Sequence, residues 1–298
     1  MPFIVAARFS ILLKELSGWV VLATTLAMAW KPAKAQAPAP KQLVQQAVAN
    51  EDRADQADHS RWIYRDHLQE PGKNLVQVVV ETADGHVKKT IESDGRPLDA
   101  AQRKQDDVNM QHFADDADLR EKQRKEDQQD ARKAHEMMSM LADGFLWTQA
   151  AETADTVTLK FEPNPAFQPP SREERVFAAM AGTMVIDRRA MRIQEVSGRL
   201  TAPVDFGWGL LGKLKAGGTF RIVRSQVGPG VWRTTETHVH IQGRAILFKT
   251  INEQEDDEES DFKPAPAGLS LAQAIQMLQN GTAEKTLGVA ASGNQARK

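Results

Sequence analysis

The chain of 298 residues contains no cysteine. This absence excludes a disulfide framework, a thiolate metal site, a cysteine nucleophile and a lipid-modified N-terminal cysteine. The sequence also lacks an excess of basic residues, since 38 Lys and Arg stand against 40 Asp and Glu and the formal net charge is -2. We therefore do not expect a nucleic-acid partner. The hydrophobic content of 41% is sufficient for one sizeable core.

No apolar run in the sequence is long enough for an ordinary membrane helix. The most apolar segment, 18–30, has about thirteen residues, whereas a spanning helix needs about 20. Two basic residues precede this segment, and the small-x-small sequence 33–35 follows it. This order favours an export signal cleaved before Gln36 over a retained anchor. We expect a periplasmic or secreted bacterial protein.

Composition and periodicity divide the chain into successive parts. We predict a signal peptide at 1–35, a tether and N-terminal helix at 36–60, and an antiparallel β domain at 61–262. A helical insertion interrupts that domain at about 99–146, and 263–298 form a linker, a short helix and a disordered tail. The predicted fold class is α+β, with one antiparallel sheet or open barrel.

The insertion is highly charged. Segment 99–136 has eleven acidic and eight basic residues and lacks Gly and Pro. A helix that is polar all round faces water on most sides, so this one is either a partner-binding arm or a solvated helix. We favour the solvated helix. The residues expected to dock its two ends are Val108, Met110, Phe113, Met137, Met140, Leu141, Phe145 and Leu146.

Polar groups with metal-ligand character occur in two places. Glu236, His238 and His240 alternate, so they project from one face of a strand and could ligate a metal, although the solvent face of an amphipathic strand explains them better. The acidic run 255–259 lacks the spacing of a calcium loop, and we predict an exposed loop that ends the sheet. The other five histidines lack a partnered Ser or Asp motif. We predict no metal, no cofactor and no enzymatic activity.

The glycine-flanked apolar segment 206–214 also has two interpretations. It is either a mobile apolar lip at the mouth of a cavity or a hairpin that completes the core. We favour the hairpin.

Five segments carry a resemblance to a known group of proteins: 93–98, 161–165, 181–187, 207–212 and 228–232. With them the chain resembles an uncharacterised family of exported bacterial proteins, which is in turn similar to the outer-membrane lipoprotein-sorting, LolA/LolB-like group. The resemblance implies a LolA-like half-barrel, in which a curved antiparallel sheet is closed by helices around an apolar cavity that accepts acyl chains.

The resemblance leads to the expected function of an exported lipid- or lipoprotein-binding carrier of the cell envelope, with a lipid or acylated protein as its partner. The residues predicted to line the apolar cavity or its lip are Phe161, Met184, Ile186, Phe206, Trp208, Leu210, Leu211, Phe220, Ile222, Trp232, Ile246 and Phe248. The alternative is a structural or interaction protein with a filled sheet interior, whose arm at 99–146 meets an envelope partner. A cavity above about 300 Å³ would favour the carrier.

Overall fold

The computed structural model describes residues 38–170, 172–206, 212–245 and 250–288. Its helices in chain order are α1 (Pro40–Ala57), α2 (Ala100–Asp115), α3 (Ala117–Gly144), α4 (Arg172–Ala178), α5 (Leu271–Gln279) and α6 (Thr282–Thr286). Its strands are β1 (Trp62–Glu70), β2 (Lys73–Thr82), β3 (Gly85–Ser93), β4 (Arg96–Pro97), β5 (Phe145–Glu152), β6 (Thr156–Pro163), β7 (Met180–Asp187), β8 (Arg192–Leu200), β9 (Val204–Phe206), β10 (Gly212–Leu214), β11 (Thr219–Gly228), β12 (Val231–Ala245) and β13 (Thr250–Pro264). Within the described ranges, no helix is both long and apolar enough to cross a membrane.

The strands form one large curved antiparallel sheet, which confirms the predicted α+β class. The main path runs β4-β3-β2-β1-β13-β12-β11-β8-β7-β6-β5, and β9 and β10 branch from β12. Strand β13 joins the N-terminal hairpins to the second strand block, because it pairs with β1 on one side and β12 on the other. The two blocks therefore belong to a single sheet.

Helices cover both faces of this sheet. We call the face under α1 and α3 the inner face, and the face under α2, α5 and α6 the outer face. Alternation along β2 illustrates the division: Val78 and Val80 pack in the outer cluster with α2, α5 and α6, whereas Val79 packs with Trp62 and Tyr64 on the inner face.

The inner face of β5–β8 is filled by side chains. Phe161, Met184 and Ile186 are at most 2% exposed and pack in one cluster with residues of α1 and the C-terminal end of α3. Helix α1 contributes Leu43, Val44 and Ala47 to this cluster, at the spacing of one helical face. This half of the inner face is the largest part of the core.

A buried ionic contact fixes α1 on the sheet. Glu51 is 1% exposed, and its carboxylate accepts hydrogen bonds from Arg192 Nη2 and Arg224 Nη1, both at 2.6 Å. It also accepts a hydrogen bond from the backbone N–H of Ile193 at 2.7 Å. Burial raises the pKa of the neighbouring Asp55 to about 6. The polar side of α1 is therefore tied to β8 and β11.

The charged insertion consists of two helices that lie on opposite faces. Asp99 caps α2 and Asp116 caps α3, each by accepting a hydrogen bond from a backbone N–H of the helix that follows. Met110 and Phe113 dock α2 on the outer face, and Leu141 docks α3 on the inner face. The insertion therefore wraps around the β3 edge of the sheet.

Three of the residues predicted to dock the ends of the insertion have other positions in the structure. Val108 and Leu146 are 52% and 53% exposed, so their prediction as docking residues is wrong. Phe145 is buried, but it begins β5 rather than ending the helix. The sequence analysis missed β5, whose outward edge lies in water and whose side chains are mostly exposed.

Two expectations for the C-terminal part are also wrong. The acidic run 255–259 is an internal part of β13 rather than an exposed loop, because β1 and β12 supply hydrogen bonds on both of its edges. The first part of the predicted disordered tail instead forms α6, and Ala283 and Leu287 are buried against α5 and the outer face, whereas 289–298 lie outside the described residues. Lys89 fixes this corner by donating to the Leu278 carbonyl and the Glu284 carboxylate.

Candidate functional site: a carboxylate-lined cavity

A cavity of about 540 Å³ lies on the inner face beside the filled half. Strands β1, β2, β3, β12 and β13 form its floor and walls, and the middle of α3 forms its roof. Its volume lies within the range that small-molecule sites occupy. Alanines provide apolar surface on both sides, Ala83 between β2 and β3 and Ala131 and Ala134 on the roof.

Carboxylates crowd the floor. Asp66 on β1 lies opposite Glu259 on β13, and Asp257 follows two residues along, so all three side chains point to the inner face. Asp66 is 3% exposed, and its Oδ2 accepts a hydrogen bond from Lys88 Nζ at 2.7 Å. Its other oxygen is buried, as is Oδ1 of Asp257, and the two carboxyl groups are hydrogen-bonded to each other when one of them carries a proton.

Because these carboxyl groups are crowded together, the pKa values of Asp257 and Glu259 are raised. Burial, followed by the charge of Asp66 and a hydrogen bond to it, raises the pKa of Asp257 to about 8. Burial also raises the pKa of Glu259 to about 7, with repulsion from Asp66 and Glu81 acting in the same direction. Two neighbouring carboxyl groups in a poorly solvated site cannot both ionise freely, so the floor carboxyls are partly protonated at neutral pH.

The walls contain charges that already have partners. Glu81 Oε2 accepts hydrogen bonds from Arg233 Nη2 at 3.1 Å and from the Trp62 backbone N–H at 3.0 Å. Arg61 donates to three backbone carbonyls rather than to a carboxylate, including that of Thr82 at 3.0 Å. These contacts fix the walls without neutralising the floor.

Tyr64 faces the cavity from β1. Its side chain is 7% exposed and stacks on Phe262, with 5.0 Å between the ring centroids. Burial and the nearby carboxylates Glu259 and Glu81 raise its pKa, so the hydroxyl stays protonated. In the described chain this hydroxyl makes no hydrogen bond, which leaves a rigid donor and acceptor directed at the cavity.

The roof of the cavity contains further acids. Asp127 and Asp130 line it from α3, and Asp127 Oδ2 lies 3.9 Å from His86 Nδ1. Burial lowers the pKa of His86 to about 4, and Lys88 contributes, so the ring is neutral at pH 7. Burial also raises the pKa of Asp127. Asp127 therefore faces an uncharged imidazole rather than a cation.

A glycine allows the roof to approach the sheet. Gly85 begins β3 with a φ of +128°, and a Cβ at this position would lie 2.8 Å from Gln123 Oε1. The same oxygen accepts a hydrogen bond from the His86 backbone N–H at 3.4 Å. A side chain at residue 85 would therefore displace the Gln123 amide from the His86 N–H, and its backbone would be strained at this φ.

Negative charge exceeds positive charge around the cavity. Five carboxylate side chains and three permanent cations line it. The carboxylates are Glu81, Asp127, Asp130, Asp257 and Glu259, and the cations are Arg61, Lys88 and Arg124. Lys88 is bound to Asp66, and Arg124 pairs with Glu121 outside the cavity. Among the described residues, Asp257, Glu259, Asp127 and Asp130 thus have no permanent cation in contact.

The apolar residues predicted as ligand contacts lie elsewhere. Phe161, Met184 and Ile186 are buried in the filled half, and Phe220 packs at its margin. Ile222 is half-buried, Trp232 borders a second, open cleft near α1, and the backbone of Phe206 is in β9. The remaining predicted contacts, Trp208, Leu210, Leu211, Ile246 and Phe248, fall outside the described residues.

The histidine pair lies on the outer face of β12. His238 Nδ1 and His240 Nε2 contact the Asp256 carboxylate at 2.7 and 3.1 Å, and His238 also contacts Glu236. The hydrogen bond with Asp256 raises the pKa of His238. Within the part of the chain that the structure describes, no group of three or more His, Asp or Glu has metal-site geometry. The arrangement is a hydrogen-bonded surface network.

The sequence analysis missed the residues that define the cavity. The acids of 255–259 were assigned to a loop, although their alternation along β13 sends Asp257 and Glu259 inward and Asp256 outward. The alternation of Tyr64 and Asp66 in β1 was a second available signal, because it places a polar group on the same face as an aromatic ring.

Comparisons with protein families, with curated proteins and with solved structures found no match for this chain. The arrangement of the cavity is thus the basis for a functional assignment. Oxygen acceptors without counter-ions, a hydroxyl donor and alanine walls are suited to an organic cation. The resemblance to the lipoprotein-sorting group stays a prediction.

Proposed function

We propose that this protein is a binding protein that takes a small organic cation, an amine, into the carboxylate-lined cavity. The observation that carries this proposal is the floor, where Asp257 and Glu259 have no cationic partner in contact in the described chain and where the buried carboxyls of Asp66 and Asp257 stay together by sharing a proton. An ammonium group has up to three N–H donors and supplies the missing charge and hydrogen bonds together.

The walls favour an amine with a hydrocarbon body over a bare cation. Ala83, Ala131 and Ala134 provide surface against which methylene groups can pack, and a buried CH₂ contributes about 0.8 kcal/mol. An inorganic ion would leave most of the about 540 Å³ unfilled. The ligand class is therefore an alkylamine-like cation.

Binding of such a cation competes with protons. The ammonium favours ionised carboxylates, so it lowers the pKa values of Asp257 and Glu259 from about 8 and about 7 and releases protons. Affinity then rises from about pH 6 to about pH 8 and falls again as the amine itself loses its proton near pH ~10.

Calorimetric titration of the folded chain with spermidine, a flexible polyamine, tests this proposal. We expect saturable binding with proton release, detected by comparing buffers of different ionisation enthalpy. The Asp257→Asn/Glu259→Gln variant should lose at least about tenfold in affinity, since it removes both unpaired carboxylates.

Strand β13 offers a matched control. Asp256→Asn/Glu258→Gln removes the same number of charges from the adjacent positions, which lie on the outer face. This control should keep the wild-type affinity. Equal losses in the two double variants would mean nonspecific attraction to an acidic strand, and absence of binding by the folded wild type would refute the proposal.

The acyl-chain carrier, export from the cytoplasm, a partner for the charged arm and the absence of enzymatic activity stay predictions. The predicted signal at 1–35 lies outside the described residues. For the carrier, the described apolar residues Phe161, Met184 and Ile186 are already packed against helices, so an acyl chain would have to displace α1 or α3 to reach them. Uptake of phospholipid or acylated peptide, detected by native mass spectrometry, tests this alternative.

A further inference from the structure

We propose that the ligand carries two ammonium groups joined by an aliphatic spacer, so that one end binds the floor of the cavity and the other binds its roof. This inference rests on the proposed function and narrows its ligand class to diamines and polyamines.

The first step is the position of the unpaired acids. Asp257 and Glu259 lie on β13 at the floor, whereas Asp127 and Asp130 lie on α3 at the roof. A single ammonium group can neutralise only one of these pairs. Two cationic ends of one molecule satisfy both pairs at once, with the second contact made at high effective concentration.

The second step is the apolar surface that the cavity also offers. Ala131 and Ala134 follow Asp127 and Asp130 along the same helix, and Ala83, between β2 and β3, lines the same cavity. Their methyl groups offer no hydrogen bonds, so they suit the methylenes of a spacer better than a polar chain. A zwitterion such as an amino acid is disfavoured, because its carboxylate would face unpaired acids at either end.

The third step is Tyr64, which points to a ligand independently of the acids. Its side chain is 93% buried, since 7% is exposed, and its hydroxyl lines the cavity without a hydrogen bond in the described chain. The hydroxyl oxygen itself is accessible from the cavity, so an ammonium group at the floor can donate a hydrogen bond to it.

The roof can also respond to a ligand. In its middle, α3 contacts the sheet through the side chains of Gln123 and Asp127. These contacts are made with His86, next to Gly85 at the start of β3. Its firm apolar attachment lies further on, at Leu141 and Ala142. An ammonium end at Asp127 and Asp130 would therefore add a contact where α3 is held least.

The experiment compares butylamine with putrescine and cadaverine, binding of each being measured by calorimetry near pH 8 on the folded chain. A diamine should bind at least about tenfold more tightly than butylamine. Asp127→Asn/Asp130→Asn should abolish this advantage, so that the diamines bind the variant no more tightly than butylamine does. The control variant Glu126→Gln/Asp130→Glu still has acidic residues at positions 127 and 130. It should therefore retain the tighter binding of the diamines.

Each result is decisive. If butylamine binds as tightly as the diamines, or if the roof variant keeps the diamine advantage, the two-ended ligand is refuted while cation binding stands. If neither butylamine nor any diamine binds the folded wild type, the proposed function fails and this inference fails with it. Circular dichroism of the roof variant, whose altered side chains lie at the helix surface, confirms that α3 is intact.

Discussion

The two halves of the inner face differ in what covers them, although one sheet and one helix contribute to both. Over β5–β8, α1 and the end of α3 fill the space with apolar side chains, and Met184 is 0% exposed. Over β1, β2, β12 and β13, the middle of α3 leaves a cavity with acids on its floor and roof. The filled half stabilises the fold, and the open half retains unpaired charge at a cost in stability.

The course of α3 explains how both conditions coexist. Its C-terminal end carries Leu141 and Ala142 and packs tightly, whereas in its middle Asp127 is partly exposed and Asp130 is exposed, as expected for carboxylates without a counter-ion. The charged insertion is therefore neither a freely solvated helix nor a free arm along its whole length. Its middle forms one wall of the candidate site.

The largest change in stability is expected from Glu51→Gln, in the buried ionic contact that fixes α1 on the sheet. Arg192 and Arg224 would lose the carboxylate that neutralises them in a buried site, so the free energy of unfolding should fall by about 4 kcal/mol. Urea denaturation measures this loss. Asp52→Asn, at the next and more exposed position, is the control and should cost less than about 1 kcal/mol.

Met184→Ala should have the second largest effect. It leaves a cavity in the filled half, so the free energy of unfolding should fall by about 3 kcal/mol, while the affinity for an amine stays the same. Urea denaturation and calorimetry give the two readouts, with Leu146→Ala on the exposed part of β5 as the control. A matching loss of amine affinity would show that the two halves are not independent.

Asp257→Asn should act in the opposite direction on stability. Because folding raises the pKa of Asp257 from 3.8 to about 8, its contribution to stability is present below about pH 4 and is lost as the pH rises to about 8. The variant has no carboxyl group at this position, so it does not lose this stability as the pH rises. Its free energy of unfolding should therefore exceed that of the wild type at pH 8 by about 2 kcal/mol, with a smaller difference at pH 5.

Asp256→Asn is the matched control for this comparison. It lies on the outer face, where the hydrogen bond with His238 lowers the pKa of Asp256, so its removal should not stabilise the protein at pH 8. Parallel stability curves for the wild type and Asp257→Asn between pH 4 and pH 8 would contradict a proton-holding floor.

The smallest effect is expected from His86→Gln beneath the roof. Folding lowers the pKa of His86 from 6.5 to about 4, so the wild type loses stability as the pH falls through this window, because only the unfolded chain gains the proton. The variant should lose about 1 kcal/mol less between pH 6.5 and pH 4. Thermal unfolding at several pH values measures the difference, and His112→Gln on the exposed side of α2 serves as the control.

Helix α1 and several strands of both halves could be predicted from the sequence. The spacing of Leu43, Val44 and Ala47 predicts α1, and period-two alternation predicts β1, β2, β3, β8 and β11 within a few residues. These predictions succeed because burial of apolar side chains leaves a periodic pattern in the sequence.

The acidic strand β13 of the open half could not be predicted in the same way. Asp and Glu are poor strand formers, and the run 255–259 has no apolar alternation, so the pattern favours a loop. The strand forms because β1 and β12 pair with both of its edges, and because His238 and Lys88 lie near its outer and inner acids. This stabilisation is long-range and does not show in the local sequence.

The most direct test of the central claim is a carbon-13 NMR titration of the Asp257 side-chain carboxyl in the folded chain, without and with a saturating diamine, using Asp257→Asn to assign the resonance. The cavity predicts that this carboxyl titrates far above its ordinary pKa of 3.8, near 8, and that the diamine lowers the pKa. An ordinary pKa in the free protein, or one that the diamine does not change, would contradict an open half built to receive a cation.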